Sequence, residues 1–170
     1  PLGIVGVTRN IEERRKVENE LRVRESQLAE AQRISHIGNW VWDIEKNHLT
    51  WSDEIYNIFG YTSQSFDSSY DAFLETVHPD DVDFVQASVD TALKDEKEYD
   101  IEHRIFRMDG SEGFVHERAE VLRDKEGKPI IMQGVVQDIT ERKAAEERER
   151  QLGILTAQSQ KLESVGELAG

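Results

Sequence analysis

The chain has 170 residues, of which 35 are acidic and 21 basic, so its formal net charge is -14. An acidic chain is a poor general binder of nucleic acid, because affinity for phosphate backbones comes from Lys and Arg. The chain has no cysteine, which excludes disulfides, thiolate metal sites, cysteine nucleophiles and cysteine-flavin chemistry.

The sequence contains no run of about 18 apolar residues and no basic-then-apolar leader. We therefore expect no membrane span in this segment and a cytoplasmic location. The chain begins with Pro1 rather than Met, which suggests a piece of a longer protein.

The net charge is distributed unevenly along the chain. Residues 1–35 carry seven basic and six acidic side chains, and residues 140–170 carry five and six. The middle, 36–139, carries nine basic and 23 acidic side chains and so accounts for the whole excess. This division indicates an acidic domain between two nearly neutral arms.

Both arms have the composition of helices with a weak coiled-coil seam. Residues 12–35 lack Gly and Pro, and residues 141–168 show a similar three-and-four spacing, with charge dense before Leu152 and sparse after it. Seam positions three and four residues apart are Val17, Leu21, Arg24, Leu28 and Ala31 in the first arm, and Ala145, Leu152, Leu155, Ser159, Leu162 and Gly166 in the second. The first arm is equally well explained as a solvated helix packed on its own domain.

The middle segment, 36–140, predicts an α+β fold in the order β-β-α-α-α-β-β-β. Strand signals alternate with period two, and helix signals recur every three or four residues. The predicted elements are strands at 40–44 and 48–51, a helix between Ser52 and Gly60, helices at 70–76 and after Asp81, and strands at 99–107, 114–123 and 129–139. Asp109-Gly110 and residues 124–127 mark hairpin turns.

Residues 6–15 repeat the pattern of residues 134–143, with an offset of 128 residues. The second copy runs from a strand directly into a charged helix. We therefore expect residues 1–11 to be the last strand of a preceding similar domain, followed by a linker helix at 12–35.

Six stretches of the middle segment together resemble a PAS domain of the subgroup with a C-terminal PAC motif. They are IGNWVWD at 37–43, WSDE at 51–54, IFGY at 58–61, VHPDD at 77–81, DG at 109–110 and GVVQDITERK at 134–143. The resemblance implies a PAS fold, in which a five-stranded antiparallel sheet carries short helices across one face. It also implies a sensing or relay role, and the domain is expected over 36–140.

The last stretch, 159–170, resembles the start of the dimerisation and phosphoacceptor helix of sensor histidine kinases. Residues 141–170 would then be a C-terminal signalling helix leading into that domain. The resemblance implies a fragment that stops before the phosphoacceptor histidine and the ATP-binding domain. We therefore expect no enzymatic activity in this fragment and a protein histidine kinase as its parent.

The strands and helices define a cup that either binds a ligand or is plain hydrophobic core. Parity along the strands places His103 and Glu117 on the otherwise apolar inner face, and a turn at 109–111 sets these two residues opposite each other. Buried ionisable groups are expected to pair with each other. The alternative is that they form hydrogen bonds to a ligand or respond to pH. The cup residues are Trp40, Trp42, Phe59, Phe73, His103, Ile105, Val115, Glu117, Met132 and Val136.

The histidines give no metal-ligand spacing, so we predict no metal and no cofactor, while an unknown small ligand remains an option. The segment 77–81 resembles a structural loop and helix start of this PAS subgroup. We therefore do not expect His78, which lies in it, to be a haem ligand.

The sequence Asp138-Ile139-Thr140 lies where the last strand becomes the output helix. A carboxylate at this position can cap the start of the helix or form an ion pair with a basic group. Either contact would fix the angle between the sheet and the helix. The PAS resemblance implies a signal-transfer role for these three residues.

We favour a relay domain of a multi-PAS sensor histidine kinase, which passes a conformational change through this junction to a dimeric helix. The alternatives are a sensor that binds haem, flavin or a metabolite, and a dimerisation spacer. The expected partners are a second copy through the flanking helices, the neighbouring PAS domain and kinase core, and a response regulator acted on by the parent. Nucleic acid and membrane are not expected partners of this segment.

Overall fold

A computed structural model describes residues 2–62, 69–95 and 97–168 of the chain. The helices are α1 (Leu2–Ser35), α2 (Asp53–Phe59), α3 (Tyr70–Thr76), α4 (Val82–Asp95) and α5 (Thr140–Leu168), with a 3-10 turn at Pro79–Asp81. The strands are β1 (Ile37–Asp43), β2 (His48–Trp51), β3 (Tyr99–Phe106), β4 (Glu112–Arg123) and β5 (Pro129–Asp138).

The five strands form one antiparallel sheet in the order β2-β1-β5-β4-β3. Because β5 is central, the last strand of the domain bonds to the first strand on one side and to β4 on the other. The outgoing helix α5 therefore leaves from the middle of the sheet, next to the point where α1 enters it.

The inner face of the sheet carries the core, because alternate side chains of each strand point to the same side. Helices α2, α3 and α4 contribute Ile55, Phe59, Phe73, Val85 and Val89 to the same core. The predicted α+β fold, with its five strands and short helices, is confirmed.

The glycine at the end of α2 behaves as predicted. Gly60 adopts a φ of 74°, and its amide closes the last turn of the helix. Ser52 precedes the helix, but its hydroxyl accepts a hydrogen bond from the amide of Asn39 in β1 at 3.0 Å instead of capping α2.

The expectation of a strand over residues 1–11 was wrong, because α1 is one helix from Leu2 to Ser35. Residues 134–138 of the second copy form a strand because β1 and β4 flank them and pair with them. A segment without such neighbours satisfies its backbone locally by forming a helix. Pro1, Ala169 and Gly170, at the ends of the two predicted arms, lie outside the described residues.

The predicted pairing of β3 with β4 was wrong by two residues. His103 lies opposite Val115 and Ile101 lies opposite Glu117. The hairpin turns around Asp109, with Arg107 bonded to Ser111 and Gly110 at φ 80°, so its centre is earlier than predicted. A shift of two keeps every side chain on its predicted face.

Candidate functional site

The junction between β5 and α5 is held by the carboxylate of Asp138. Its Oδ1 accepts a hydrogen bond from the amide of Thr140 at 2.9 Å, which caps the start of α5. Its Oδ2 accepts from Nη2 of Arg107 at 2.8 Å. The sequence left a helix cap and a basic partner as alternatives, and this carboxylate makes both contacts.

Thr140 and Ile139 fix the same junction from the other side. The Thr140 hydroxyl accepts hydrogen bonds from the amide of Phe114 at 3.0 Å and from Arg107 at 3.2 Å. The amide of Ile139 donates to the carbonyl of Phe114 at 2.9 Å, and the Ile139 side chain is buried. The start of α5 is therefore bonded to β4 as well as to β5.

Arg107, which the sequence analysis did not single out, joins this junction to α2. Its Nε donates to the carbonyl of Ile58 at 3.0 Å, and its Nη1 donates to the carbonyl of Glu112 at 3.2 Å. Gly113 makes room for the guanidinium, since a Cβ there would lie 2.7 Å from Nη2. The only sequence signal for Arg107 was a basic residue at the end of a strand, beside a turn.

The charge of Asp138 is stabilised where it lies. Burial by itself raises the pKa of this carboxyl, but hydrogen bonds from Thr140 and Arg107 and the charge of Arg107 outweigh burial, so its pKa is lowered. The Arg107 and Asp138 side chains are 20% and 23% exposed, so water screens this ion pair only in part.

The first turn of α5 is also tied to the outer face of the sheet. Glu102 of β3 binds Arg142 at 2.6 Å and Lys143 at 2.5 Å. The side-chain hydrogen bonds from Lys143 and Arg142 lower the pKa of Glu102 to about 2. Two strands and one ion-pair cluster therefore hold the direction of α5.

The incoming helix meets the domain beside the same junction. The amide of Asp138 donates to the carbonyl of His36 at 3.1 Å, and Gln32 donates to the Asn39 side chain at 2.8 Å. The exposed ring of His36 lies 3.5 Å from the buried carboxylate of Glu54 in α2. The incoming helix α1 thus contacts β1 and α2, whereas α5 contacts β4 and is connected to α2 through Arg107.

The cup contains a cavity of about 30 Å³. Seven of the ten predicted cup residues line it, namely Trp40, Trp42, Phe59, Phe73, Glu117, Met132 and Val136. Leu49, Trp51, Ile55, Tyr70, Val89 and Tyr99 complete the lining. His103, Ile105 and Val115 are buried beside the cavity but are not part of its wall.

The polar atoms of the core gather around Glu117. The hydroxyl of Tyr99 donates to its Oε2 at 3.2 Å, and Nε2 of His103 lies 3.7 Å from its Oε1. The Nε1 of Trp40 and the Nε2 of His103 are buried without a hydrogen-bond partner among the described residues. The predicted proximity of His103 and Glu117 is thus present, in a diagonal rather than an opposed arrangement.

His78 and His116 make contacts within the fold. His78 caps the 3-10 turn, because its Nδ1 accepts from the amide of Asp80 at 3.2 Å, and His116 lies 2.6 Å from Asp100 on the outer face. Within residues 2–62, 69–95 and 97–168, no group of three or more His, Asp or Glu side chains is placed to hold a metal ion. None of the helices described in those ranges combines the length and apolarity needed to cross a bilayer.

Comparison with known proteins identifies relatives among sensors. A methyl sulfide methyltransferase-associated sensor of Methanosarcina acetivorans is 30% identical over 125 residues, covering 72% of this chain and 12% of that protein. A blue-light-activated histidine kinase of Brucella ovis is 32% identical over 113 residues, covering 66% of this chain and 22% of the kinase. The chain thus spans under a quarter of the length of either relative.

A solved structure has the same architecture. A sensory box histidine kinase/response regulator from Burkholderia thailandensis matches with a TM-score of 0.65 and 26% sequence identity, over 75% of this chain and 95% of the solved one. The family model described as PAS fold matches residues 48–136, which is more than half of the chain. Since that match runs from β2 through most of β5 and leaves β1 of the five strands outside, the chain belongs to the PAS family over most of its sheet.

Proposed function

We propose that this chain is a sensory or relay domain of a two-component sensor histidine kinase, and that it passes a conformational change through Asp138, Ile139 and Thr140 to α5. The observation that carries the proposal is the contact set of Arg107. This side chain bonds at once to Ile58 at the end of α2 and to Asp138 and Thr140 at the start of α5.

The relay would begin in the core and end in the helix. Ile55 and Phe59 of α2 line the cavity, and the Ile58 carbonyl lies between them in sequence. A change in core packing that displaces the end of α2 would therefore shift Arg107. Because Arg107 also holds the capping carboxylate of α5, such a shift would change the angle at which α5 leaves the sheet.

The output would be a change in pairing with a second copy. Beyond its first turns α5 carries exposed apolar side chains, which are Leu152, Ile154, Leu155, Leu162, Val165 and Leu168. A helix with an unburied apolar stripe is stabilised by a partner helix, and the three-and-four spacing suits a parallel coiled coil. Two packings of that seam would need to differ by only a few kcal/mol to act as a switch.

The size of the cavity favours a relay over a sensor with a large cofactor. Sites for drug-sized ligands and cofactors occupy roughly 300–1,000 Å³, whereas this cavity of about 30 Å³ has room for little more than water. A small ligand remains the second candidate, because the unpartnered indole N–H of Trp40 and the Glu117 carboxylate are polar groups at an apolar cavity.

The test is the activity of the full-length parent. Arg107→Gln and Asp138→Asn should each uncouple autophosphorylation from the upstream signal, since each removes the ion pair. Arg118→Gln, on the exposed side of β4, is the matched control. Kinase regulation that survives both junction substitutions would refute the relay and favour a dimerisation spacer.

The remaining expectations about the parent stay predictions. They are a preceding PAS domain, a response regulator as the partner of the kinase, and a cytoplasmic location. The ultraviolet-visible spectrum and native mass of protein purified from cells would test the ligand-binding alternative directly.

A further inference from the structure

The core contains an acid and a base that are both almost completely removed from water. The side chains of His103 and Glu117 are 0% and 4% exposed, and Nε2 of the imidazole lies 3.7 Å from Oε1 of the carboxylate. That distance is too long for a direct hydrogen bond. Buried ionisable groups are costly unless charge is compensated, so their protonation states must be linked.

Both ring nitrogens of His103 face oxygen atoms. Nε2 faces the carboxylate of Glu117, and Nδ1 lies 3.2 Å from the carbonyl oxygen of Arg104. A neutral imidazole has one N–H and one lone pair, so with Glu117 ionised it would direct its lone pair at one of these oxygens. The doubly protonated ring is the form that faces both oxygens with an N–H.

Among the residues that the structure describes, Tyr99 is the one direct hydrogen-bond donor to the Glu117 carboxylate. Its Oε2 accepts from the Tyr99 hydroxyl at 3.2 Å. If the proton of the His103–Glu117 pair were lost, this single phenol would face a buried carboxylate. Such a state is unfavourable without water or movement, because a buried charge needs several hydrogen bonds or a counter-charge.

The surrounding titratable groups retain the proton rather than expel it. The titratable groups coupled to the pair are Tyr99 of β3, Tyr70 of α3 and Asp81 of the 3-10 turn, and Asp90 of α4 and Asp71 of α3 act in turn on Tyr70. Burial by itself lowers the pKa of His103, but the neighbouring Glu117 outweighs it, with smaller contributions from the Arg104 carbonyl and Asp81, and the pKa is raised.

We propose that His103 and Glu117 form a buried proton-binding site, and that its one shared proton holds α3 against the sheet. The link to α3 is geometric. The ring of Phe73 meets the His103 ring edge-on with centroids 6.2 Å apart, and Phe73, Tyr70 and Glu117 share the wall of the cavity. Loss of the proton at rising pH leaves the Glu117 carboxylate uncompensated, and it is solvated by water entering past α3.

This proton site concerns the packing of the domain itself. It holds whether or not α5 leads to a kinase, so its test needs no parent protein and no signal. Failure of the relay in the full-length kinase would leave it standing, and failure of the proton site would leave the relay standing.

The decisive measurement is a titration of the ring nitrogens by ¹⁵N-resolved NMR on the 170-residue chain between pH 5 and 9. His103→Gln assigns the His103 signals, and a short unstructured peptide containing histidine, measured in the same buffers, is the reference. We expect His103 to be doubly protonated at pH 6 and to lose its proton at a higher pH than the peptide histidine. A His103 ring that is neutral throughout, or that titrates together with the peptide histidine, overturns the proposal.

Two substitutions distinguish the effect of Glu117 on the His103 titration from the effect of burial alone. Glu117→Gln should lower the pH of the His103 midpoint, whereas Glu120→Gln on the exposed face of the same strand should leave it unchanged. The fluorescence of Trp40, Trp42 and Trp51, which line the cavity, should change with the His103 titration in the wild type and in Glu120→Gln but not in Glu117→Gln. A fluorescence transition that persists in Glu117→Gln would exclude the link to α3. If Glu117→Gln does not fold, the wild-type titration decides alone.

Discussion

The backbone amide of Asp138 donates a hydrogen bond to the carbonyl of His36 at 3.1 Å, so the chain leaves the domain at the residue that touches its point of entry. The same Asp138 holds Arg107 and caps α5 through its carboxylate. In the relay that we propose, a displacement of α1 would reach α5 through this one residue, without passing through the core. The junction would then have two inputs, one from α1 and one from the cup.

A double-mutant cycle will measure the junction ion pair. Arg107→Gln and Asp138→Asn should each destabilise the domain by about 2 kcal/mol, because each leaves a partly buried charged group without its partner. The double variant should lose about 1–2 kcal/mol less than the two separate losses together. Urea unfolding with Arg118→Gln as control measures this, and full additivity would show that the two side chains are not energetically coupled.

Glu102 should control the order of the first turn of α5. Removing its charge with Glu102→Gln weakens both ion pairs to Arg142 and Lys143, so amides 140–146 should exchange with deuterium faster. The loss in global stability should not exceed about 1 kcal/mol, since more than a third of Glu102 is exposed and surface pairs are screened. Unchanged exchange beside a loss in global stability would contradict a local role.

The pair of Asp81 and Arg104 should contribute to acid sensitivity. Hydrogen bonds from Arg104 lower the pKa of Asp81 to about 2, below its unfolded value, so this stabilisation is present above about pH 4 and disappears as the pH falls towards 2. Asp81→Asn should cost about 1 kcal/mol at pH 7 and make unfolding less dependent on pH in that window. Equal pH dependence in both proteins, followed by circular dichroism, would contradict this assignment.

Two identical substitutions should have opposite effects. Gly134 of β5 lies opposite Ala119 of the neighbouring strand β4, and a Cβ there would come within 2.2 Å of the Arg118 carbonyl oxygen, so Gly134→Ala should cost about 1–3 kcal/mol. Gly153 in α5 has nothing within 4 Å of the added Cβ, and Gly153→Ala should stabilise that helix by about 0.5–1 kcal/mol. Thermal unfolding of both variants checks the signs, and destabilisation by Gly153→Ala would mean that a partner helix packs closely there.

The exposed stripe of α5 should mediate self-association. Leu155 and Leu162 are 61% and 73% exposed, so replacing both with Gln should leave the folded domain intact. If two copies pair along this seam, the substitutions should weaken dimerisation at least tenfold by light scattering or sedimentation. A wild-type chain that stays monomeric at high concentration would refute the dimer.

Much of the secondary structure could be predicted because its signals are local. Three signals each depend on residues within a few positions of one another. They are the alternation of apolar and polar residues in the strands, the glycine at the end of α2 and the helical spacing of apolar residues in α4. The inner face was also predictable, since parity along a strand does not depend on the turn that precedes it. Seven cup residues followed from that parity and from apolar positions on the short helices.

The missed features all involve groups that are distant in sequence. The pairing of His103 with Val115 depends on which residues form the β3–β4 turn. The local sequence is compatible with more than one position of that turn, so it did not define the register. Tyr70 reaches the cavity only because α3 folds back over the sheet. The strand expected at 1–11 does not form, because a strand needs neighbouring strands to receive its backbone hydrogen bonds and a helix needs none.

By itself, the sequence determined the class of fold, the acidic domain between two neutral arms, and the position of Asp138 at the exit of the last strand. Those properties follow from composition, periodicity and chain order. Only the tertiary structure decided that Arg107 is the partner of Asp138 and that His103 faces two acceptors. The physical reason is that charge pairing and burial depend on distances of a few ångströms between groups far apart in the chain, and packing alone sets those distances.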